Sequence, residues 1–238
     1  MSNQLENLNI YLTNLGKYNE GELIGEWLSL PIEIETLKEV LEKIEIGEEY
    51  EEYFVADYES SVGLKLGEFE SLDELNYLAH KLGDMDSFEL DKYEKILEIE
   101  SVTSIAEYIN LTENMDCYDV LPNIESKYEL GQYVMEEFNG DILEQLGRFS
   151  SYFDYEQYGH DIDIEWSGNF INGSYVYSNE EKSNEYYTGE REEIPDDYVI
   201  TNFETEKKNS IVAKLIEKQT LIPAKTTKSI SENHGIEL

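Results

Sequence analysis

The chain has 238 residues, of which 54 are acidic and 17 are basic, so its formal net charge at pH 7 is −37. This charge excludes nucleic acids and anionic membranes as partners, because both would repel the protein. Very acidic chains with few aromatic residues stay disordered, but 19 Tyr, 8 Phe and 2 Trp are enough for a packed core, and we predict a folded protein.

The negative charge lies in the first 200 residues, which hold 11 basic and 49 acidic residues. Residues 201–238 are nearly neutral, with six Lys and five acidic residues. Charge of this size opposes folding through self-repulsion and bears on solubility and partners. Salt adaptation is the alternative explanation, but it would deplete Lys and large apolar residues together, and 15 Lys remain. We therefore interpret the charge as a partner-binding feature.

Signals for other compartments are missing from the sequence. The single cysteine, Cys117, excludes an internal disulfide and a thiolate zinc cluster. The first ten residues lack the basic start and apolar run of a signal peptide, and no apolar stretch reaches the ~18 residues that span a bilayer. We predict a cytoplasmic protein without membrane contact.

The first elements of the chain predict a small α/β domain. Leu8–Leu12 has the pattern of a strand, and a second strand is predicted at Tyr53–Ala56. Between them, apolar residues recur at three- and four-residue spacing over residues 34–45, which indicates one buried helix face.

The middle of the chain is predicted to be helical. Ser71-Leu72-Asp73-Glu74 is a capping box, in which Ser71 accepts from a first-turn amide and Glu74 reaches back, and an apolar stripe follows it. Further helices are predicted at Phe88–Leu97 and Ser104–Tyr108.

The last third mixes helices and strands. Helical periodicity runs from Ile124 to Phe138, whereas alternation over Tyr152–Trp166 predicts strands. Asn172-Gly173 between two apolar runs predicts a hairpin, and Tyr198–Phe203 predicts another strand. A helix is predicted to follow over residues 211–216.

These elements predict an α+β protein built as a row of small domains. We expect an N-terminal α/β domain at 1–62, a mainly helical middle domain at 63–111, a C-terminal α/β domain at 112–200, and a near-neutral extension at 201–238. Set at the charge density of duplex DNA, about one charge per 1.7 Å, the net charge would form a track about 65 Å long. A compact globule of this length is about 45 Å across, so the chain is either elongated or carries its charge on several faces.

Motifs for catalysis, metals and cofactors are not found in the sequence. Asp57 with Glu68 could form the acid pair of a carboxylate-dependent hydrolase, but pairs arise by chance among so many carboxylates. The three histidines lack metal-ligand spacing, the Asp-x-Asp runs do not continue into calcium loops, and there is no glycine-rich phosphate loop. We predict no catalytic residue, no metal and no cofactor, and hence a protein that is not an enzyme.

Four blocks of sequence resemble the ArdA antirestriction proteins, which are acidic DNA mimics carried by mobile elements of bacteria. They are Ile10–Pro31 with its Trp-containing segment, Glu51–Glu59 continuing to Asn76, Leu121–Glu137, and Phe153–Asp161. Leu121–Glu137 is similar to the family's antirestriction motif. The sequence departs from the pattern at His160, where an arginine is expected, and in roughly 70 residues that follow the similar region.

The resemblance implies an elongated chain of three small mixed α/β domains that forms a homodimer through the third. It also implies that the protein, in the bacterial cytoplasm, evades host defence by binding type I restriction-modification enzymes at the DNA-binding groove of their methyltransferase and specificity core. As the alternative within the binding class, the same mimicry is directed at another nuclease, such as a CRISPR effector, whose basic channel would accept the same charges.

The hypothesis of DNA mimicry assigns two sets of residues. The predicted phosphate-mimicking set is Glu48, Glu49, Glu51, Glu52, Asp57, Glu59, Glu68, Glu70, Asp73, Glu74, Glu125, Glu129, Glu136, Glu137, Asp154, Glu156, Asp161 and Asp163. The second set would hold either the dimer interface or the core of the third domain, and comprises Leu121, Tyr128, Leu130, Gly131, Val134 and Met135.

Overall fold

The computed structural model describes residues 7–179 and 181–202. These residues form eight α-helices and two three-stranded antiparallel sheets, which confirms the α+β class. The predicted domain boundaries remain a prediction.

The first sheet consists of β1 (Leu8–Asn14), β2 (Gly25–Leu30) and β3 (Tyr53–Ser60), in the order β2-β1-β3. Its inward residues, such as Ile10 and Leu28, are buried. Helix α2 (Ile34–Lys43) follows β2, and its residues Leu37 and Val40 are buried as well. A short helix α1 (Leu15–Asn19) follows β1. The predicted opening strand, helix and second strand are confirmed.

The middle of the chain is helical, as predicted, with α3 (Leu72–Asp84), α4 (Ser87–Ile99) and α5 (Ile105–Glu113). Ser71 caps α3 by accepting from the backbone N–H of Glu74 at 3.4 Å. The Glu74 side chain does not complete the predicted box, because it accepts a hydrogen bond from Tyr187 at 3.0 Å. Complete capping boxes begin α4 and α5 instead, where a first-turn Glu reaches back to the cap residue.

The second sheet joins β4 (Tyr118–Pro122), β6 (Ser174–Ser178) and β5 (Asn169–Ile171), in that order. Asn172 and Gly173 connect β5 to β6 with φ angles of 44° and 79°. Two positive φ values in a two-residue loop are the mark of the tight hairpin turn that Asn-Gly favours, so the predicted hairpin is confirmed.

Helices α6 (Lys127–Phe138), α7 (Gly140–Leu146) and α8 (Tyr155–Trp166) lie between β4 and β5. The predicted helix over Ile124–Phe138 is confirmed as α6. The strands predicted over Tyr152–Trp166 are wrong: Asp154 caps α8 by accepting from the Gln157 N–H at 3.0 Å. Gly159 and Ile162, three residues apart, are buried on one face of α8, so the period is helical.

The strand predicted over Tyr198–Phe203 is also wrong within the described residues. A 3₁₀ turn at Asp196–Tyr198 occupies its start, and the backbone N–H of Ile200 donates to the buried Asp73 side chain rather than to a strand. Elements α1, β2, β4 and α7 were not predicted. The helix predicted over residues 211–216 lies outside the described residues.

Helices α6 and α8 cross at two glycines. A Cβ on Gly131 would collide with the carbonyl oxygen of Tyr155, and a Cβ on Gly159 with the carbonyl oxygen of Lys127. The backbones therefore approach more closely than any side chain would allow. Leu130, Val134 and Ile162 fill the core beside this crossing.

We expect Gly131→Ala to lower the free energy of unfolding by about 2–3 kcal/mol, because the added methyl group forces the two helix backbones apart. Urea denaturation measures this change. Gly83→Ala is the matched control: Gly83 lies in α3 with open space around its Cα, so alanine should stabilise the protein by up to about 1 kcal/mol. Equal stability of the Gly131→Ala variant and the parent protein would contradict the close crossing.

Candidate functional site

Exposed carboxylates surround the first sheet. Glu48, Glu49, Glu51 and Glu52 lie in the connection between α2 and β3, and all four are exposed. Their backbone leaves α2 at Ile44 and enters β3 at residue 53, so the ends of this acidic connection are fixed by a helix and a strand. The carboxylates are therefore attached to a positioned loop.

On β3 itself, Asp57 and Glu59 are exposed and point away from the helices. Asp57 pairs with Tyr11 and Glu59 with Asn9 across the β1–β3 ladder, so both carboxylates share one face of the sheet. Glu68 is also exposed, in the connection from β3 to α3.

A second group of exposed carboxylates lies within residues 112–200, the predicted third domain. Glu136 and Glu137 occupy the last turn of α6, which contains no basic residue. Carboxylates are disfavoured there, because the exposed carbonyl groups at a helix C-terminus carry negative partial charge. Their position therefore does nothing for helix stability. The other exposed members of this group are Glu125, Asp154, Glu156 and Asp161.

The exposed members of the predicted set share a second property. In the part of the chain that the structure describes, none of them forms an ion pair; the ion pairs involve other carboxylates or the less exposed Asp73 and Asp163. Their charge is therefore not neutralised by the lysines and arginines of the described residues.

Four members of the predicted set are partly buried and already bonded within the protein, and one of them is Glu74, which accepts from Tyr187. Glu70 accepts from the N–H of Gly67 at 2.9 Å. Glu129 accepts from the N–H of Glu125 at 2.8 Å, and this bond, together with Ser126, lowers the pKa of its carboxyl group. Asp163 pairs with Lys127 at 3.2 Å and accepts from the Tyr175 hydroxyl at 3.1 Å.

Asp73 departs from the prediction of a phosphate-mimicking role. Its side chain is 2% exposed, which makes it the one buried acidic residue in the described part of the chain. One carboxylate oxygen accepts from Arg191 Nε at 2.8 Å and the other from the N–H of Ile200 at 2.7 Å. A carboxylate enclosed in this way cannot face a partner, so Asp73 is a structural residue.

Arg191 and Ile200 belong to a segment of residues 184–200 that we call the C-terminal strap. It follows the second sheet and returns to helices α3 and α5. Asn114 holds its start, donating to the carbonyl of Asn184 and accepting from the N–H of the same residue, both at 2.8 Å. Asn110 holds the next residues, accepting from the N–H of Tyr186 at 2.7 Å and donating to the Tyr187 carbonyl at 2.7 Å.

The strap also buries apolar side chains against the helices. Tyr187, Ile194 and Ile200 are each 3% exposed or less. Tyr198 stacks on Tyr77 of α3 at a ring-centroid distance of 5.3 Å. Neutral amides and aromatic rings therefore carry most of the contact between the strap and α3 and α5.

Burial beside the strap changes the pKa of Glu74. Its pKa is raised above the ordinary value, chiefly because burial disfavours the charged form, and the neighbouring Glu70 and Asp73 add to this. The Tyr187 hydroxyl opposes the shift by donating to the Glu74 carboxylate.

The residues predicted for the dimer interface or the core of the third domain differ in burial. Leu130, Gly131, Val134 and Met135 are buried on α6, and Leu121 packs against the same core. Tyr128 is 49% exposed, with its ring edge-on to Tyr155.

His160, which replaces the expected arginine, lies on α8 facing α6. Its Nδ1 is 2.7 Å from the Nζ of Lys127, which also pairs with Asp163. A positive group is thus present at this position, supplied by Lys127 of the neighbouring helix.

The structure does not bring the alternative catalytic pair into one depression. Glu68 lines a depression of about 120 Å³ with Phe54 and Leu72, but Asp57 is not part of its lining. In the described residues, no three His, Cys, Asp or Glu side chains are grouped so as to hold a metal ion. No described helix is long and apolar enough to cross a membrane.

The strap was missed by sequence reasoning. Its residues are polar and aromatic without a period, and its partners Asp73, Asn110 and Asn114 are more than 65 residues away along the chain. The one available signal was Arg191, a rare arginine in an acidic chain.

Comparison with known protein families gives a match. The sequence profile of a family described as Antirestriction protein (ArdA) matches residues 10–177, well over half of the chain. Among curated proteins, no sequence matches. The strap lies after the matched residues.

We expect Arg191→Ala to lower the free energy of unfolding by about 2 kcal/mol, because it leaves the buried Asp73 charge without its cation. The loss is smaller than for a fully enclosed pair, since the Arg191 side chain is 42% exposed. Urea denaturation of the full chain measures it. Lys43→Ala, which removes the exposed pair with Glu26, is the control and should change stability by less than about 1 kcal/mol. If the two variants were equally stable, the strap would not depend on Asp73.

Proposed function

Because the chain belongs to the antirestriction protein (ArdA) family, we propose that it inhibits a type I restriction-modification enzyme by occupying the DNA-binding groove of the methyltransferase and specificity core. It does so as a mimic of B-form DNA, without catalysis. The observation that supports this most is the set of exposed carboxylates that form no ion pair within the described part of the chain.

The chemistry of this proposal is simple. Arginine and lysine side chains that bind phosphate also bind carboxylate oxygens, through charge-assisted hydrogen bonds of similar geometry. A surface with a large surplus of negative charge also accelerates the encounter with a basic groove, and salt weakens that attraction. The exposed carboxylates, unlike the buried Asp73, are available for such pairing.

Their attachment favours mimicry over diffuse attraction. Asp57 and Glu59 are held by a sheet, and Glu156 and Asp161 by a helix. Groups held by regular secondary structure lose little freedom on binding, which lowers the cost of the complex. We include Glu48, Glu49, Glu51 and Glu52 in the same surface, since their loop is fixed at both ends.

We further propose that the domains at 1–62, 63–111 and 112–200 lie in a row and that two copies join through the third. Exposed apolar side chains support a contact there, because patches of this kind usually mark an interface. They lie on three consecutive elements, α6, α7 and the 3₁₀ turn Gly147–Tyr152, and are Phe138, Ile142, Phe149 and Tyr152.

The mimicry is tested with a variant in which Glu48, Glu49, Glu51 and Glu52 are replaced by Gln. We expect its affinity for a purified type I methyltransferase core, measured by competition with duplex DNA, to fall at least tenfold at low salt, with a weaker dependence on salt. Phage plating on hosts with and without a type I system gives the cellular readout.

The matched control replaces the exposed Glu181, Glu185, Glu190 and Glu192, which lie after the family-matched residues, and should keep its affinity within a few-fold. Equal losses in both variants would mean that bulk charge, and not the proposed surface, decides binding. Unchanged plating of phage on both hosts by the parent protein would overturn the proposed function.

The dimer is tested by sedimentation equilibrium, where we expect about twice the chain mass of 27.7 kDa. Replacing Phe149 and Tyr152 by Ala should weaken the dimer at least tenfold, because it removes apolar area from the contact. The control replaces Leu23 and Phe88, which are equally exposed but lie on the first and middle regions. A monomer at micromolar concentration would contradict the dimer proposal.

A further inference from the structure

One face of the first sheet remains open in the described part of the chain. Leu8, Ile10 and Leu12 of β1 turn inward and are fully buried. The intervening residues turn outward, and the strand register aligns them in two rows across the sheet. One row is Trp27, Tyr11 and Asp57, and the other is Ser29, Asn9 and Glu59. We call these six residues the open face.

The open face has an aromatic centre. Trp27 is 47% exposed, and its ring centroid lies 5.3 Å from that of Tyr11. The Tyr11 ring reaches over the neighbouring strand β2 at Gly25. A Cβ added to Gly25 would come within 2.7 Å of that ring. Gly25 therefore makes room for the Tyr11 ring, which packs against Trp27 at an interplanar angle of 47° and leaves about half of Trp27 exposed.

Carboxylates border this aromatic pair on one side. Asp57 stands directly beside Tyr11 in the row, and Glu59 lies in the next row. Both are exposed, and neither forms an ion pair within the described residues, whereas Glu26, next to Trp27 in the chain, is paired with Lys43 at 3.4 Å. The charges that remain available on this face are thus negative, and Tyr11 lies between the exposed Trp27 and Asp57.

This combination suits one kind of group. An arginine guanidinium is flat, positively charged and weakly hydrated, so it stacks on an aromatic face while its N–H groups bind a carboxylate. Lysine, a strongly hydrated point charge, fits the same surface less well. Grooves that bind DNA are rich in arginine, because its guanidinium group forms bidentate hydrogen bonds with phosphate.

We propose that the open face binds an arginine of the target's DNA-binding groove, with the guanidinium over the Trp27–Tyr11 pair and its N–H groups on Asp57. This inference rests on the proposed function and names a contact of the same interface. DNA offers phosphate at its surface but no exposed indole, so the contact adds apolar binding to the mimicry. Trp27 and Asp57 then slow dissociation, whereas the carboxylates outside this contact act mainly on association.

The test measures binding of the full chain to a purified type I methyltransferase core at low and raised salt. We expect Trp27→Ala to weaken binding tenfold or more at both salt concentrations, mainly through faster dissociation. Replacing Asp57 by Asn should also speed dissociation, because it removes the charge that the guanidinium binds, whereas replacing Glu59 by Gln should mainly slow association and flatten the salt dependence. Phe88→Ala, which removes an exposed ring from α4, is the control and should bind like the parent protein.

Two further variants separate the arginine contact from general apolar contact. Trp27→Phe keeps an aromatic face and should retain most of the affinity, whereas Trp27→Leu keeps apolar area without the ring and should not. Because Trp27 is half exposed, all variants should show the parent's thermal unfolding.

The outcomes are distinct. If the parent protein does not bind the core, the proposed function fails. If the parent binds and Trp27→Ala binds equally well, the inference fails while the proposed function stands. Parent-like binding by Trp27→Leu would overturn the stacked arginine. A lower oligomer mass for Trp27→Ala than for the parent in sedimentation equilibrium would show that the open face joins two copies of this chain instead.

Discussion

Repulsion among carboxylates constrains every part of this fold, since 49 acidic residues share 200 positions with 11 basic ones. In water at moderate salt, charges at the surface are screened over about 10 Å, so the repulsion is tolerable there and severe inside. Among the described acidic residues, Asp73 alone is buried, and it is enclosed by Arg191 and a backbone amide. All other acidic side chains in that part of the chain keep some contact with water.

Because basic residues are few, neutral groups make many of the contacts between distant segments. Asn110 and Asn114 hold the strap by bonding its backbone, and Asn14 and Asn76 fix connecting backbone in the first and middle regions in the same way. Amides supply donors and acceptors at once and add no charge. The glycine on α6, Gly131, and the glycine on α8, Gly159, also add no charge. They let the two helix backbones come into contact.

The proposed function uses the charge that the fold does not. Carboxylates on β3 and α8 are held by regular structure, and those at the end of α6 lie where helix stability would disfavour them. The strap lies beyond the family-matched residues and forms hydrogen bonds with α3 and α5. The open face would complement this surface with an aromatic contact, giving the interface both a long-range and a short-range part.

Local patterns in the sequence were sufficient for much of this protein. The strand at Leu8, the Ser71 cap and the Asn172-Gly173 hairpin each depend on neighbouring residues, and four short blocks carried the family resemblance. The alternation before Trp166 misled, because the exposed Ile164 on the opposite face of α8 gives Ile162, Ile164 and Trp166 a two-residue spacing. Burial of Asp73 was invisible, since its partners follow more than 115 residues later. Charge and local elements thus follow from composition and short-range spacing, whereas which carboxylates reach solvent depends on distant segments packing together.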